Sequence, residues 1–265
     1  MEKVWPAMVT DKLVFDVCGL TNKGRVRDHN EDCLVLHPEG GLYAVCDGMG
    51  GHAGGEVASS VAAKTITDFI LNRKDGDWPY GRQENQPVGA DLLRNAALLA
   101  NQRIFERIQA EPWLARMGTT MVSALVNGGG EFFLANVGDS RAYLWRGGTL
   151  RQLTSDHSWV NEQVQQGTLS PSEAERHPLK NVITRALGAR EALPIDLIRE
   201  QLEAGDGLLL CSDGLTGMLP DAVIARILAE NGQHAASICR QLVAQANQAG
   251  GEDNISVILL LARRP

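Results

Sequence analysis

Three apolar runs in this 265-residue chain end on an aspartate beside a glycine: LYAVCDG at Asp47, FLANVGD at Asp139 and LLLCSDG at Asp213. Two more acidic groups come just before apolar runs, Glu31-Asp32 ahead of CLVLH and Glu252-Asp253 ahead of NISVILLL. An isolated Asp-Gly pair is usually a turn. Three such strand ends with two acidic strand starts form a pattern. In antiparallel neighbours, the end of one strand lies beside the start of the next. These carboxylates can therefore converge on one sheet edge from distant parts of the sequence. Several carboxylates cannot share a small site without strong repulsion, and a divalent cation is the usual remedy. An all-oxygen set favours Mg or Mn over Zn. Gly48 has no side chain, so its carbonyl also has a path to a metal.

Positioning such a site requires strands that run consecutively. Strand patterns cover Val14 to Leu20, Cys33 to His37 and Leu42 to Cys46, with no helix between them. Two long helical patterns follow, about 55–72 and 90–109, joined by the turn-rich DGDWPYGRQENQPVG. Further strands are predicted over 120–126, 131–136, 141–145 and 150–153. Gly128-Gly129-Gly130 and Gly147-Gly148 mark hairpin turns. A mixed stretch spans Asp156 to Leu193, and in it Ser170-Pro-Ser-Glu173 matches a capping box with Pro at the first helical position. A strand over 208–211, helices starting near Pro220 and His234, and a strand over 255–261 complete the pattern. Strands in runs and helices in pairs predict an α+β chain, with antiparallel sheets and helices packed outside.

Composition narrows the function classes. The formal net charge is -7 with no basic run, so no electrostatic footprint for nucleic acid is present. The longest apolar run, Ile255 to Ala262, is too short to span a bilayer. The start, MEKVWPAMVTDK, lacks a signal-peptide pattern. Five scattered cysteines without a C-x-x-C pair argue against a disulfide framework or structural zinc. Together these features predict a cytoplasmic location. Gly48-Met-Gly50-Gly-His-Ala53 fits G-x-G-x-x-A, with Asp68 downstream, but the strand–helix alternation of a dinucleotide site is missing. No cysteine has an arginine at the C-x5-R spacing, and G-x-S-x-G and a P-loop are absent.

The motifs TNKGRVRDHNED (21–32), VCDGMGGHAGGEVAS (45–59), MGTT (117–120), NVGDSRAYLWRGG (136–148), LTSDHS (153–158), ITRALG (183–188), LLLCSDGLT (208–216) and GGEDNISVILL (250–260) stand in one register along the chain. With them the sequence resembles the PPM family, the type 2C protein serine/threonine phosphatases, in its bacterial form. The resemblance implies an α-β-β-α sandwich, one phosphatase domain over 1–265, and a flap-like insertion at about 156–193. It implies two Mn or Mg ions and a possible third. Asp47 would bridge the two, with the Gly48 carbonyl on one and Asp213 and Asp253 on the other. Glu31 and Asp32 would hold coordinated waters, Asp139 would serve the third ion, and Arg27 would grip the substrate phosphate. Some members carry histidine directly after the Asp-Gly; here Met49-Gly50-Gly51 precede His52, the candidate general acid.

The implied partners are phosphorylated proteins, among them a serine/threonine kinase or its targets. Arg176, Lys180 and Arg185 are candidates for substrate selection, against a bland reading as surface charge or structure. Arg25 reads as solvated, His157 as structural, and Thr119 and Thr120 as strand packing. The competing reading is a catalytically silent phosphoprotein-binding module on the same fold. Its signature would be lost carboxylates, and none is lost here.

Overall fold

The computed structural model describes residues 13–50, 54–230 and 234–265. A five-stranded antiparallel sheet contains β1 (Val14–Asn22), β11 (Ile255–Arg263), β10 (Gly207–Cys211), β7 (Arg141–Arg146) and β8 (Thr149–Gln152), in that spatial order. The second sheet runs β2 (Asp32–His37), β3 (Leu42–Met49), β5 (Met121–Val126), β6 (Glu131–Val137) and β9 (Asp196–Gln201), with the short β4 (Gly118–Thr119) on the end of β3. Helices α1 (Gly54–Asn72) and α2 (Val88–Ala110) cover the outer face of this second sheet. The outer face of the first is covered by α5 (Asp213–Thr216), α6 (Asp221–Glu230) and α7 (Ala235–Gln248). The result is the expected α-β-β-α sandwich.

Side-chain alternation builds the layers. Along β5, Val122, Ala124 and Val126 face the opposite sheet, whereas Met121 and Leu125 face the helices. Likewise Leu208 and Leu210 of β10 fill the inter-sheet layer, and Leu209 and Cys211 pack under α6 and α7. Each fully buried Leu or Val contributes about 1.5–3 kcal/mol. The inter-sheet layer is therefore the stiff platform behind the strand ends.

Besides the short β4 and α5, two features were not predicted. One is β9, whose DLIREQ sequence is half-exposed and charged; it is an edge strand held to β6 by pairing and by an Arg199–Glu131 ion pair at 2.6 Å. The other is α3 (Trp159–Gln165), in the connection from β8 to β9. In the same connection, α4 (Pro171–Ala174) carries the predicted capping box at Ser170 and Glu173. Strand β3 also runs two residues beyond Asp47, which places that carboxylate inside a strand and not in the turn after it.

Candidate metal centre

Asp32 and Asp47 are direct cross-strand partners on β2 and β3. From the facing sheet, Asp213 opens α5 right after β10, and Asp253 stands just before β11. Asp139 occupies the turn between β6 and β7, 9% exposed. That turn requires Gly138, whose φ is +111° and whose Cβ would lie 2.6 Å from the Thr120 side chain. The two sheets thus deliver their carboxylates to a common edge.

These groups repel. Burial pushes Asp32 up to about 7, with the charges of Asp213 and Asp253 adding to the shift. Burial likewise pushes Asp139 up to about 8, with Asp213 again adding. Asp47 is raised well above an ordinary carboxyl by burial first and by Asp32, Asp213 and Asp139 next. Asp213 is likewise raised by burial, with the charge of Asp253 adding to the shift. Asp32 Oδ1, Asp139 Oδ1 and Asp213 Oδ1 are buried with no hydrogen-bond partner. Among the described residues no three acidic, imidazole or thiol groups close into a ready coordination shell. The unpartnered oxygens and the all-oxygen donor set suit a hard divalent ion.

Gly48 is enclosed. A Cβ there would fall 2.1 Å from the Gly55 carbonyl oxygen and 2.6 Å from that of Glu31, so only glycine lets α1 approach β3 this closely. The carboxyl of Glu31 lies under the start of α1 and is raised by burial, partly offset by Arg27. Arg27 is half-exposed, and its Nη2 donates to Asp253 Oδ2 at 2.6 Å. His52 lies outside the described residues. Lys180 lines the cleft beside Asp139 and Asp213. Arg185 instead donates to Asp196 at 3.0 Å, and Arg176 is exposed.

Several positioning residues escape sequence reasoning. Thr119 Oγ1 donates to the Asp47 carbonyl at 2.9 Å, and Thr120 Oγ1 accepts the Asp47 N–H at 3.1 Å. These threonines hold the backbone of Asp47 from both sides, beyond packing in a strand. Ser212 Oγ donates to Asp32 Oδ2 at 2.9 Å, linking the two sheets. Asn254 accepts the Glu31 N–H at 2.8 Å and donates to the carbonyls of Lys23 and His29, both at 2.9 Å, which straps the Arg27 loop onto β11. Each sits beside a motif residue, and that adjacency was the only signal available.

Buried, paired carboxylates at the shared edge of an α-β-β-α sandwich define the scaffold of a metal-dependent hydrolase. Residues 24–259 match the profile of the Protein phosphatase 2C family, and the chain belongs to that family. It is 37% identical over 249 residues to the serine/threonine phosphatase stp of Listeria monocytogenes, covering 91% of this chain and 93% of that protein. Among solved structures, the serine/threonine phosphatase Stp1 of Staphylococcus aureus superposes with a TM-score of 0.84 at 33% identity, covering 97% of this chain and 99% of that one. The catalytic domain of the phosphatase PstP, in complex with two manganese ions, gives a TM-score of 0.80 at 33% identity, covering 95% and 99%.

Proposed function

We propose that this protein hydrolyses phosphoserine and phosphothreonine in other proteins, with two Mn or Mg ions held at the shared sheet edge. The observation that carries this is the meeting of Asp32 and Asp47 from one sheet with Asp213 from the other, with buried carboxylate oxygens left unpartnered. In this reading Asp47, the Gly48 carbonyl, Asp213 and Asp253 would hold the two ions. Glu31 and Asp32 would hold coordinated water, and Asp139 would serve a possible third ion. Bound there, the cations supply a water acidic enough to attack at neutral pH and neutralise the phosphoryl oxygens.

The rest falls to the chain's own groups. Arg27 keeps one N–H on Asp253 and presents the rest of its planar fork to two phosphate oxygens, which orients phosphorus for in-line attack. Thr119 and Thr120 fix the Asp47 backbone, so its carboxylate needs no reorganisation during the reaction. His52 delivers the proton to the departing serine or threonine oxygen. The phosphatase domain comprises residues 1–265, with 156–193 as a flap beside the site. Its substrates are phosphorylated proteins, a serine/threonine kinase or that kinase's targets. The free cysteines and the lack, among the described residues, of a helix able to cross a membrane fit action in the cytoplasm.

The test is phosphate release from a phosphothreonine peptide with Mn, with EDTA, and by Asp213→Ala. Turnover is expected with Mn alone. A native protein that binds Mn yet releases no phosphate from any phosphopeptide would instead establish the silent binding module.

A further inference from the structure

A cleft of about 700 Å³ opens directly from the metal centre, with Asp139 and Asp213 at its floor. This is within the range of about 300–1,000 Å³ usual for ligand clefts. One wall is the β8–β9 connection, with α3 and α4; the other is the corner where α5 turns into α6. Val164 and Pro171 on one side face Met218 and Pro220 on the other, each at least partly exposed.

The charges lining the cleft are unevenly committed. Arg141 is fully engaged: its Nε and Nη2 grip Asp156 at 2.7–3.0 Å, and its Nη1 donates to the Tyr143 hydroxyl at 2.9 Å. That hydroxyl donates to Asp221 Oδ1 at 3.0 Å, which fixes the Asp221 carboxylate at the rim. Asp221 Oδ1 also lies 3.9 Å from Arg141 Nη1, whereas Oδ2 has no hydrogen-bond partner among the described residues and the side chain is 54% exposed. Glu175, on the opposite wall, is exposed and makes no side-chain ion pair among the described residues. Against these two carboxylates, Lys180 is the one lining cation without a side-chain partner among the described residues.

We propose that this cleft holds the polypeptide flanking the phosphorylated residue, and that it selects substrates with an apolar side chain and a basic residue close to the phosphothreonine or phosphoserine. The apolar walls remove the neighbouring side chain from water, and Asp221 and Glu175 receive the basic group from either side. Tyr143 pre-orients Asp221, so little side-chain freedom is lost when the pair forms. The cleft opens on Asp139 and Asp213, so a chain lying in it carries its phosphate into the centre. The inference rests on the phosphatase reading and adds a substrate preference to it.

The experiment compares kcat/KM on three phosphothreonine peptides that differ only in flanking arginine, glutamine or glutamate, with p-nitrophenyl phosphate as a substrate lacking any flank. The native enzyme should favour the arginine peptide over the glutamate peptide by at least about tenfold. Asp221→Asn and Glu175→Gln should each reduce that ratio by about fivefold, the size of one partly exposed charge pair. Lys180→Gln should raise it. Equal rates on all three peptides, a preference for the glutamate peptide, or a ratio unchanged in all three variants would overturn the cleft assignment. Native enzyme that cleaves neither the peptides nor p-nitrophenyl phosphate in Mn would instead overturn the phosphatase reading itself.

Discussion

The ring of His157 accepts the backbone N–H of Gly138 at its Nδ1, 3.0 Å away, while the His157 N–H donates to the Gly138 carbonyl at 3.0 Å. One residue therefore clamps both polar groups of the glycine that aims Asp139. Because Nδ1 accepts, the proton of the neutral ring sits on Nε2 and donates to Asp196 Oδ2 at 3.1 Å. The His157 carbonyl in turn accepts the Thr184 N–H at 2.8 Å, so the clamp also reaches the far end of the β8–β9 connection.

Protonating Nδ1 would remove that acceptor. Burial, with the Arg185 charge, holds the imidazole below its ordinary 6.5 despite the opposing pull of Asp196. The folded chain then binds fewer protons than the unfolded one. The His157 contribution to stability is thus complete above about pH 6.5 and is lost as pH falls through the lower folded value. Urea unfolding of the native protein and His157→Asn between pH 7.5 and 5 tests this. The native stability should decline more steeply with acid than that of the variant, which retains an acceptor that cannot titrate in this range. His157→Leu, leaving the buried Gly138 N–H unpaired, should cost about 1–3 kcal/mol at pH 7.5.

Asp139→Asn should change sign with metal. In EDTA it removes a buried carboxyl that has to take up a proton on folding, and the melting temperature should rise above that of the native protein. In saturating Mn the native protein gains more from binding, and the order should reverse. Differential scanning fluorimetry in both buffers measures it. A variant destabilised equally in both would show that Asp139 has only a structural role.

Thr120→Val keeps the shape of the side chain but removes the acceptor of the Asp47 N–H and the partner of Ser140 Oγ at 2.7 Å. Turnover of a phosphopeptide should fall about 10- to 100-fold, as for outer groups that orient a metal ligand. Thr120→Ser should recover most of it. Loss in Thr120→Ser with activity retained in Thr120→Val would mean that the methyl group, not the hydroxyl, matters.

Arg27→Lys keeps a positive charge near Asp253 but replaces a fork with a point. KM for phosphopeptide should rise about tenfold and inhibition by inorganic phosphate should weaken in parallel, with kcat less affected. A change confined to kcat would place Arg27 in the chemical step and not in binding.

Most of the scaffold was legible because its strands are short apolar runs bounded by turn formers. The runs ending at Asp47 and Asp213 read as buried strands, and the Gly128–Gly130 and Gly147-Gly148 turns read as hairpins between β5 and β6 and between β7 and β8. The convergence of carboxylates was legible from their places at strand ends. β9 was not: Asp196, Arg199 and Glu200 suit an edge strand stabilised from outside itself. The work of Thr119 and Thr120 was hidden too, since their partner Asp47 lies more than 70 residues away and a hydroxyl alone does not name its partner.

Asp47 belongs to one layer of the sandwich and Asp213 to the other, and among the groups described above Ser212 and Asn254 tie the layers by side-chain bonds at this edge. A cation shared by the two carboxylates is therefore a rivet through both layers as well as a reagent. Starved of divalent ions, the molecule would lose its rivet and its activity together, and the loosened edge would be the natural point of entry for proteolysis. The cellular amount of this phosphatase would then follow the supply of its metal, so that scarcity acts on protein level as well as on turnover.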